Sequence, residues 1–90
     1  AGARVRIAES YSYLGENKKA RKYIDMALSE SPYRAYYRYK SALIHERAGE
    51  MSEALDDLQI ALSIWKDADE DHVSANKAKA KWEEWNVTAN

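Results

Sequence analysis

The chain has 90 residues with 14 Lys or Arg, 15 Asp or Glu and no cysteine, which gives a net charge of −1. This length suits one small domain, and without cysteine there are neither disulfides nor thiolate ligands for a metal. We find no signal peptide, no apolar run long enough for a membrane span and no basic face that would favour nucleic acid. We therefore expect a cytoplasmic protein without membrane or nucleic-acid partners.

Charge is unevenly distributed along the sequence. Residues 1–45 contain nine Lys or Arg against four Asp or Glu, whereas residues 46–90 contain five against eleven. Halves with net charges of +5 and −6 attract each other within one chain, or attract a second copy, at low salt. Solvated outer faces of helices are the simpler explanation for these residues.

Two predicted helices make up the first third of the chain. The first runs over about residues 4–14 and ends at Gly15, since a helix often ends at a residue that tolerates positive φ. Asn17 is the expected N-cap of the second, in which residues 20–28 carry an apolar stripe at helical spacing. Pro32 then ends the pair, because proline cannot sit inside a helix.

The same order of elements follows once more. A third helix is expected over about residues 34–48, ending before Gly49, and Ser52 is the expected N-cap of a fourth helix. The segment GENKKARKYIDMALS at 15–29 and the segment GEMSEALDDLQIALS at 49–63 are identical at six positions. Roughly one identity is expected by chance, so the interval of 34 residues predicts a repeated helical pair.

A fifth helix is predicted from an N-cap at Asp71 to about Trp85. Ala75, Ala78, Trp82 and Trp85 share one of its faces. A repeat array needs a cover on its open end, so we expect a capping helix, with the start of a third repeat as the alternative.

The spacing and the small residues resemble the tetratricopeptide repeat (TPR) family over residues 1–68. The matching small residues and the closing proline are Ala8, Gly15, Ala20, Ala27 and Pro32 in the first repeat and Ala42, Gly49, Ala54 and Ala61 in the second. The resemblance implies an all-α, right-handed α-α superhelix with one repeat at 1–34, a second at 35–68, and a capping helix and tail at 69–90. Arg38, Ser41 and His45 depart from the apolar or aromatic residues of the family pattern.

The resemblance also implies a concave groove lined by the first helix of each pair. The matching positions are Glu9, Ser12, Tyr13, Tyr36, Tyr39, Lys40, Leu43 and Arg47. Tyrosines beside lysine and arginine are typical of binding hot spots. The alternative is that the tyrosines pack internally against the fifth helix.

A familiar TPR site, a clamp that grips two carboxylates of a peptide C-terminus, is not expected here. The family's clamp positions correspond to Val5, Glu9 and Lys40 in the first two repeats, and Glu9 would repel a carboxylate.

The sequence also contains no set of residues with the spacing of a catalytic or metal site. His45 and Glu46 lack the second histidine of a zinc-protease helix, because Gly49 stands there. We therefore predict no enzyme activity and no cofactor. The resemblance implies a non-catalytic adaptor or scaffold that binds a peptide or helix of a protein partner; the alternative is a self-association domain, forming a homo-oligomer, of a larger regulatory protein.

Overall fold

A computed structural model describes residues 2–89, and the side chains of residues 2–87. Ala1 and Asn90, the outer ends of the ranges 1–34 and 69–90, lie outside the described residues. Five α-helices and no strand form within residues 2–89, so the fold is all-α. The helices are α1 (Gly2–Tyr13), α2 (Asn17–Glu30), α3 (Ala35–Arg47), α4 (Met51–Ile64) and α5 (Val73–Ala89). No helix within this range is both long enough and apolar enough to cross a membrane.

Two glycine turns join the helices into hairpins. Gly15 between α1 and α2 has φ +78°, and Gly49 between α3 and α4 has φ +79°. The backbone N–H of Glu16 donates to the Tyr11 carbonyl at 2.9 Å, and Glu50 N–H donates to the His45 carbonyl at the same distance. The prediction of equivalent turns at the two glycines is confirmed, because both the angles and the hydrogen bonds repeat.

The predicted N-caps are wrong. Glu16 and Glu50 occupy the N-cap positions of α2 and α4, without a side-chain hydrogen bond. Each helix starts directly after its glycine turn, so Asn17 and Ser52 already lie in the first helical turn.

At α5 the cap is His72 rather than Asp71. The backbone N–H of Ala75 donates to His72 Nδ1 at 3.0 Å, which satisfies one of the free donors of the first turn. The helix also continues beyond Trp85 to Ala89.

The first buried cluster, which we call the first core, lies mainly within the α1–α2 hairpin. Its fully buried alanines let the two helices approach closely. The members of the first core are Val5, Ala8, Ala20, Ile24, Ala27, Tyr37 and Ile44.

The second core lies between α3, α4 and α5. Its members are Ala35, Tyr39, Ala42, Ala54, Leu58, Ala61, Ala78 and Trp85. Trp85 is only 3 % exposed, and α5 packs mainly against α4.

Helix α3 is shared by the two cores. Tyr37 and Ile44 belong to the first core, whereas Tyr39 and Ala42 belong to the second. A helix buried on two sides has no single apolar stripe. This explains why the sequence of α3 matches an amphipathic pattern less well than those of α2 and α4.

Candidate partner-binding groove

Helices α1 and α3 lie side by side, and two pairs of the predicted groove residues meet across this contact. Lys40 of α3 contacts Glu9 of α1. Closer to the C-terminal ends of the same two helices, Arg47 contacts Ser12. These two links join the first hairpin to the second. Each cation also lies over a tyrosine ring, which gives this face two cation–tyrosine units.

The first unit contains Lys40, Glu9 and Tyr36. Lys40 Nζ donates to Glu9 Oε2 at 2.7 Å and lies 5.4 Å from the centre of the Tyr36 ring. Burial lowers the pKa of Lys40, but the hydrogen bond and negative charge of Glu9, assisted by Tyr36, outweigh it. The net effect raises the pKa of Lys40 above 10.5, so the ammonium is charged at neutral pH.

The second unit contains Arg47, Ser12 and Tyr13. Arg47 Nη1 donates to Ser12 Oγ at 3.0 Å, and its guanidinium carbon lies 3.9 Å from the centre of the Tyr13 ring. Ser12 is buried, with 4 % of its surface exposed, whereas Tyr13 is 68 % exposed. The arginine is therefore fixed between a buried hydroxyl and a ring that remains open to solvent.

Two of the predicted groove residues are directed elsewhere. Tyr39 is only 7 % exposed, and its ring centre lies 6.1 Å from that of Trp65. Leu43 is half-buried against the second core. The structure therefore distributes the tyrosines between both alternatives: Tyr36 remains exposed beside Lys40, whereas Tyr39 packs in the core that includes residues of α5.

A second polar cluster, which the sequence analysis did not identify, centres on Asp57. Asp57 is buried, with 8 % of the residue surface exposed. Its Oδ2 accepts a hydrogen bond from Ser41 Oγ at 2.5 Å, and its Oδ1 accepts one from Arg38 Nη1 at 3.1 Å. His45 Nε2 lies 3.7 Å from the same carboxylate. Three residues of α3, Arg38, Ser41 and His45, thus share one partner, and we call these four residues the Asp57 network.

The Asp57 network continues towards the first hairpin. His45 Nδ1 lies 2.9 Å from Glu50 Oε1, and Glu50 also forms an ion pair with Arg21 of α2. An open pocket of about 240 Å³ lies beside the network and is lined in part by Asp25 and Leu28 of α2. The Ser41 hydroxyl donates to Asp57 and not to His45, so the imidazole is not hydrogen-bonded to a nucleophile.

A difference between the two copies of the repeated sequence could have revealed the Asp57 network. Tyr11 and Tyr23 of the first repeat correspond to His45 and Asp57 of the second. Comparing the two copies position by position for such exchanges could have identified the network.

The uneven charge of the sequence is partly used inside the molecule. Arg21 and Arg38 from the basic half pair with Glu50 and Asp57 from the acidic half.

Within the described side chains, no group of three or more His, Cys, Asp or Glu residues is arranged to hold a metal ion. Comparison with protein-family models, curated proteins and solved structures found no match to this chain.

Proposed function

We propose that the chain is a non-catalytic protein-interaction module of the TPR type. In this proposal the two hairpins and α5 form a right-handed α-α superhelix, and the groove between α1 and α3 holds a peptide or helix of a protein partner. The module acts as an adaptor or scaffold in the cytoplasm and needs neither a cofactor nor a catalytic residue.

The observation that carries the proposal is the pair of cation–tyrosine units on the α1–α3 face. Tyr13 beside Arg47 and Tyr36 beside Lys40 combine rigid aromatic surface with hydrogen-bond donors. Tyrosine and arginine are enriched at binding hot spots, where tyrosine buries a large rigid ring and arginine supplies several hydrogen-bond donors. The contacts to α1 hold both cations in place before any partner arrives, which lowers the entropic cost of binding.

In this proposal fewer residues form the groove surface than the sequence predicts. Its surface is formed by Glu9, Ser12, Tyr13, Tyr36, Lys40 and Arg47. Tyr39 and Leu43 support it from the second core.

The test is selection of binders from a random peptide library displayed on phage, followed by affinity measurements on the selected peptides. We expect the double variant Tyr13→Ala/Tyr36→Ala to lose most of the binding. Tyr33→Ala is the matched control, because this tyrosine is exposed in the loop before α3 and is not one of the groove residues. Peptides that bind the double variant as well as the parent chain, or failure to select any peptide, would refute the proposal.

Self-association remains the second candidate. Lys18 and Lys19 of α2 are exposed, as are Asp67, Asp69 and Asp71 in the segment before α5. These opposite charges are available to a second copy. Sedimentation at low and high ionic strength decides between the two candidates: a dimer that dissociates on adding salt supports self-association, and a monomer at high protein concentration supports the groove.

A further inference from the structure

Arg47 differs from Arg4, Arg21 and Arg38 in the charge of its partners. Arg4, Arg21 and Arg38 each form an ion pair with a carboxylate. Arg47 is half-buried and contacts a hydroxyl and a tyrosine ring, and it forms no ion pair with a carboxylate of residues 2–87. Its positive charge is thus uncompensated within the described side chains.

The guanidinium is nevertheless held firmly. Ser12 accepts a hydrogen bond from Nη1 at 3.0 Å and is itself buried, while the guanidinium carbon lies 3.9 Å from the centre of the Tyr13 ring. Arg47 is also the last residue of α3, where the negative end of the helix dipole favours a cation. A guanidinium has five N–H donors, and the hydroxyl of Ser12 uses one of them. The remaining donors can form a bidentate pair with a planar anion.

Glu9 does not cancel this preference. Its carboxylate already accepts a hydrogen bond from Lys40 Nζ at 2.7 Å, which balances its charge. The groove therefore contains two cations and one carboxylate, and the unbalanced charge lies at Arg47.

We infer that Arg47 is the specificity-determining residue of the groove and that it binds the carboxylate of an Asp or Glu side chain within the partner segment. The inference rests on the proposed function, because it assigns the partner's chemistry at the same groove. The recognised carboxylate is an internal side chain, so the partner needs no free C-terminus at this position.

The test uses the full chain and a random peptide library fused at its C-terminal end to the phage coat protein, which leaves no free peptide C-terminus. We expect the selected peptides to share an Asp or Glu at one fixed position. A synthetic peptide from this set should bind Arg47→Gln about tenfold or more weakly than it binds the parent, the size expected for losing a charge-assisted hydrogen bond. Lys18→Gln on α2 is the matched control, since it removes the same charge from an exposed position away from the α1–α3 contact.

A double-mutant cycle separates recognition from a merely structural role of Arg47. Replacing the peptide's conserved Asp or Glu by Asn or Gln should weaken binding to the parent by about tenfold or more, but should leave binding to Arg47→Gln unchanged. Circular dichroism verifies that the variant is folded. Selected peptides that bind the groove without a conserved acidic residue, or a cycle without coupling, would overturn the inference while leaving the proposed function intact. If no peptide is selected, both fail.

Discussion

The two hairpins have the same backbone plan but different chemistry at equivalent positions. In the first hairpin Tyr11 and Tyr23 stack with ring centres 5.8 Å apart and an angle of 21° between the rings. Thirty-four residues later His45 and Asp57 take these positions, with Nε2 and Oδ2 separated by 3.7 Å. An aromatic pair in one hairpin is thus replaced by a polar network in the other.

The surroundings of the two pairs account for the difference. The Asp57 network receives hydrogen bonds from Ser41 and Arg38 and extends through His45 to Glu50, which pairs with the first hairpin. No buried side-chain nitrogen or oxygen among the described residues lacks a hydrogen-bond partner. A buried polar group is tolerated when its hydrogen bonds are satisfied, so one hairpin can hold polar contacts where the other holds aromatic ones, while both keep equivalent glycine turns.

The largest expected effect is on stability and concerns α5, which packs against the second hairpin. We expect Trp85→Ala to lower the free energy of unfolding by about 3–5 kcal/mol, because truncating a buried tryptophan leaves a cavity. Trp82→Ala should cost less, since this side chain is half-buried. Urea titration measures both, with exposed Val87→Ala as the control. A Trp85→Ala midpoint close to that of the control would mean that α5 does not stabilise the second hairpin.

Removing the centre of the Asp57 network should have the next largest effect. Asp57→Ala leaves Arg38 and Ser41 without their shared acceptor, and we expect a cost of about 2–3 kcal/mol. The corresponding change in the first hairpin, Tyr23→Ala, should cost less because Tyr23 is only half-buried. Equal losses for the two variants in urea titrations would contradict the contrast between the hairpins.

A transplant sharpens the same comparison. The triple variant Ser41→Ile/His45→Tyr/Asp57→Tyr gives the second hairpin the residues of the first at three equivalent positions. The triple variant keeps Arg38 but removes the Ser41 donor together with its acceptor and fills the space of Asp57 with a ring, so we expect it to be more stable than Asp57→Ala. Finding it less stable than Asp57→Ala in the same titration would show that the two hairpins cannot exchange these residues.

The glycine turns should respond equally, in contrast to the packed positions. Gly15→Ala and Gly49→Ala each place an alanine at positive φ, at an expected cost of about 1 kcal/mol. No atom lies within 4 Å of a Cβ added at either glycine, so the cost comes from the backbone alone. Thermal or urea unfolding that separates the two variants by more than about 1 kcal/mol would argue against equivalent turns.

The smallest expected effect on stability is at the Lys40–Glu9 ion pair, which joins α3 to α1. Because the folded state raises the pKa of Lys40, this ammonium stabilises the fold fully below pH 10.5 and loses the contribution as pH rises through the raised value. We expect about 1 kcal/mol or less for such a part-exposed pair. The stability difference between the parent and Lys40→Gln should therefore shrink above pH 10.5. A difference that is constant through this range would exclude a role for the Lys40 charge.

Local features of this fold could be predicted from the sequence, whereas features that depend on a third helix could not. Gly15 and Gly49 end helices through their own backbone preferences, so the turns were predictable. Tyr39 is buried because Trp65 and the second core cover it, which the pattern of α3 alone does not reveal. For the candidate site, the sequence identified Lys40 and Arg47, but the pairing of Lys40 with an acidic residue and of Arg47 with neutral groups required the structure.

Helix α3 has a consequence for how the molecule comes apart. Opposite sides of α3 contribute Tyr37 to the first core and Tyr39 to the second. Unfolding of either hairpin therefore removes the packing contacts of one side of α3. The hairpins should therefore open together in one cooperative step and not fray one repeat at a time. In native-state hydrogen exchange, the amides of α3 should be the slowest to exchange, through global opening alone, while those near the free face of α1 exchange through smaller local openings.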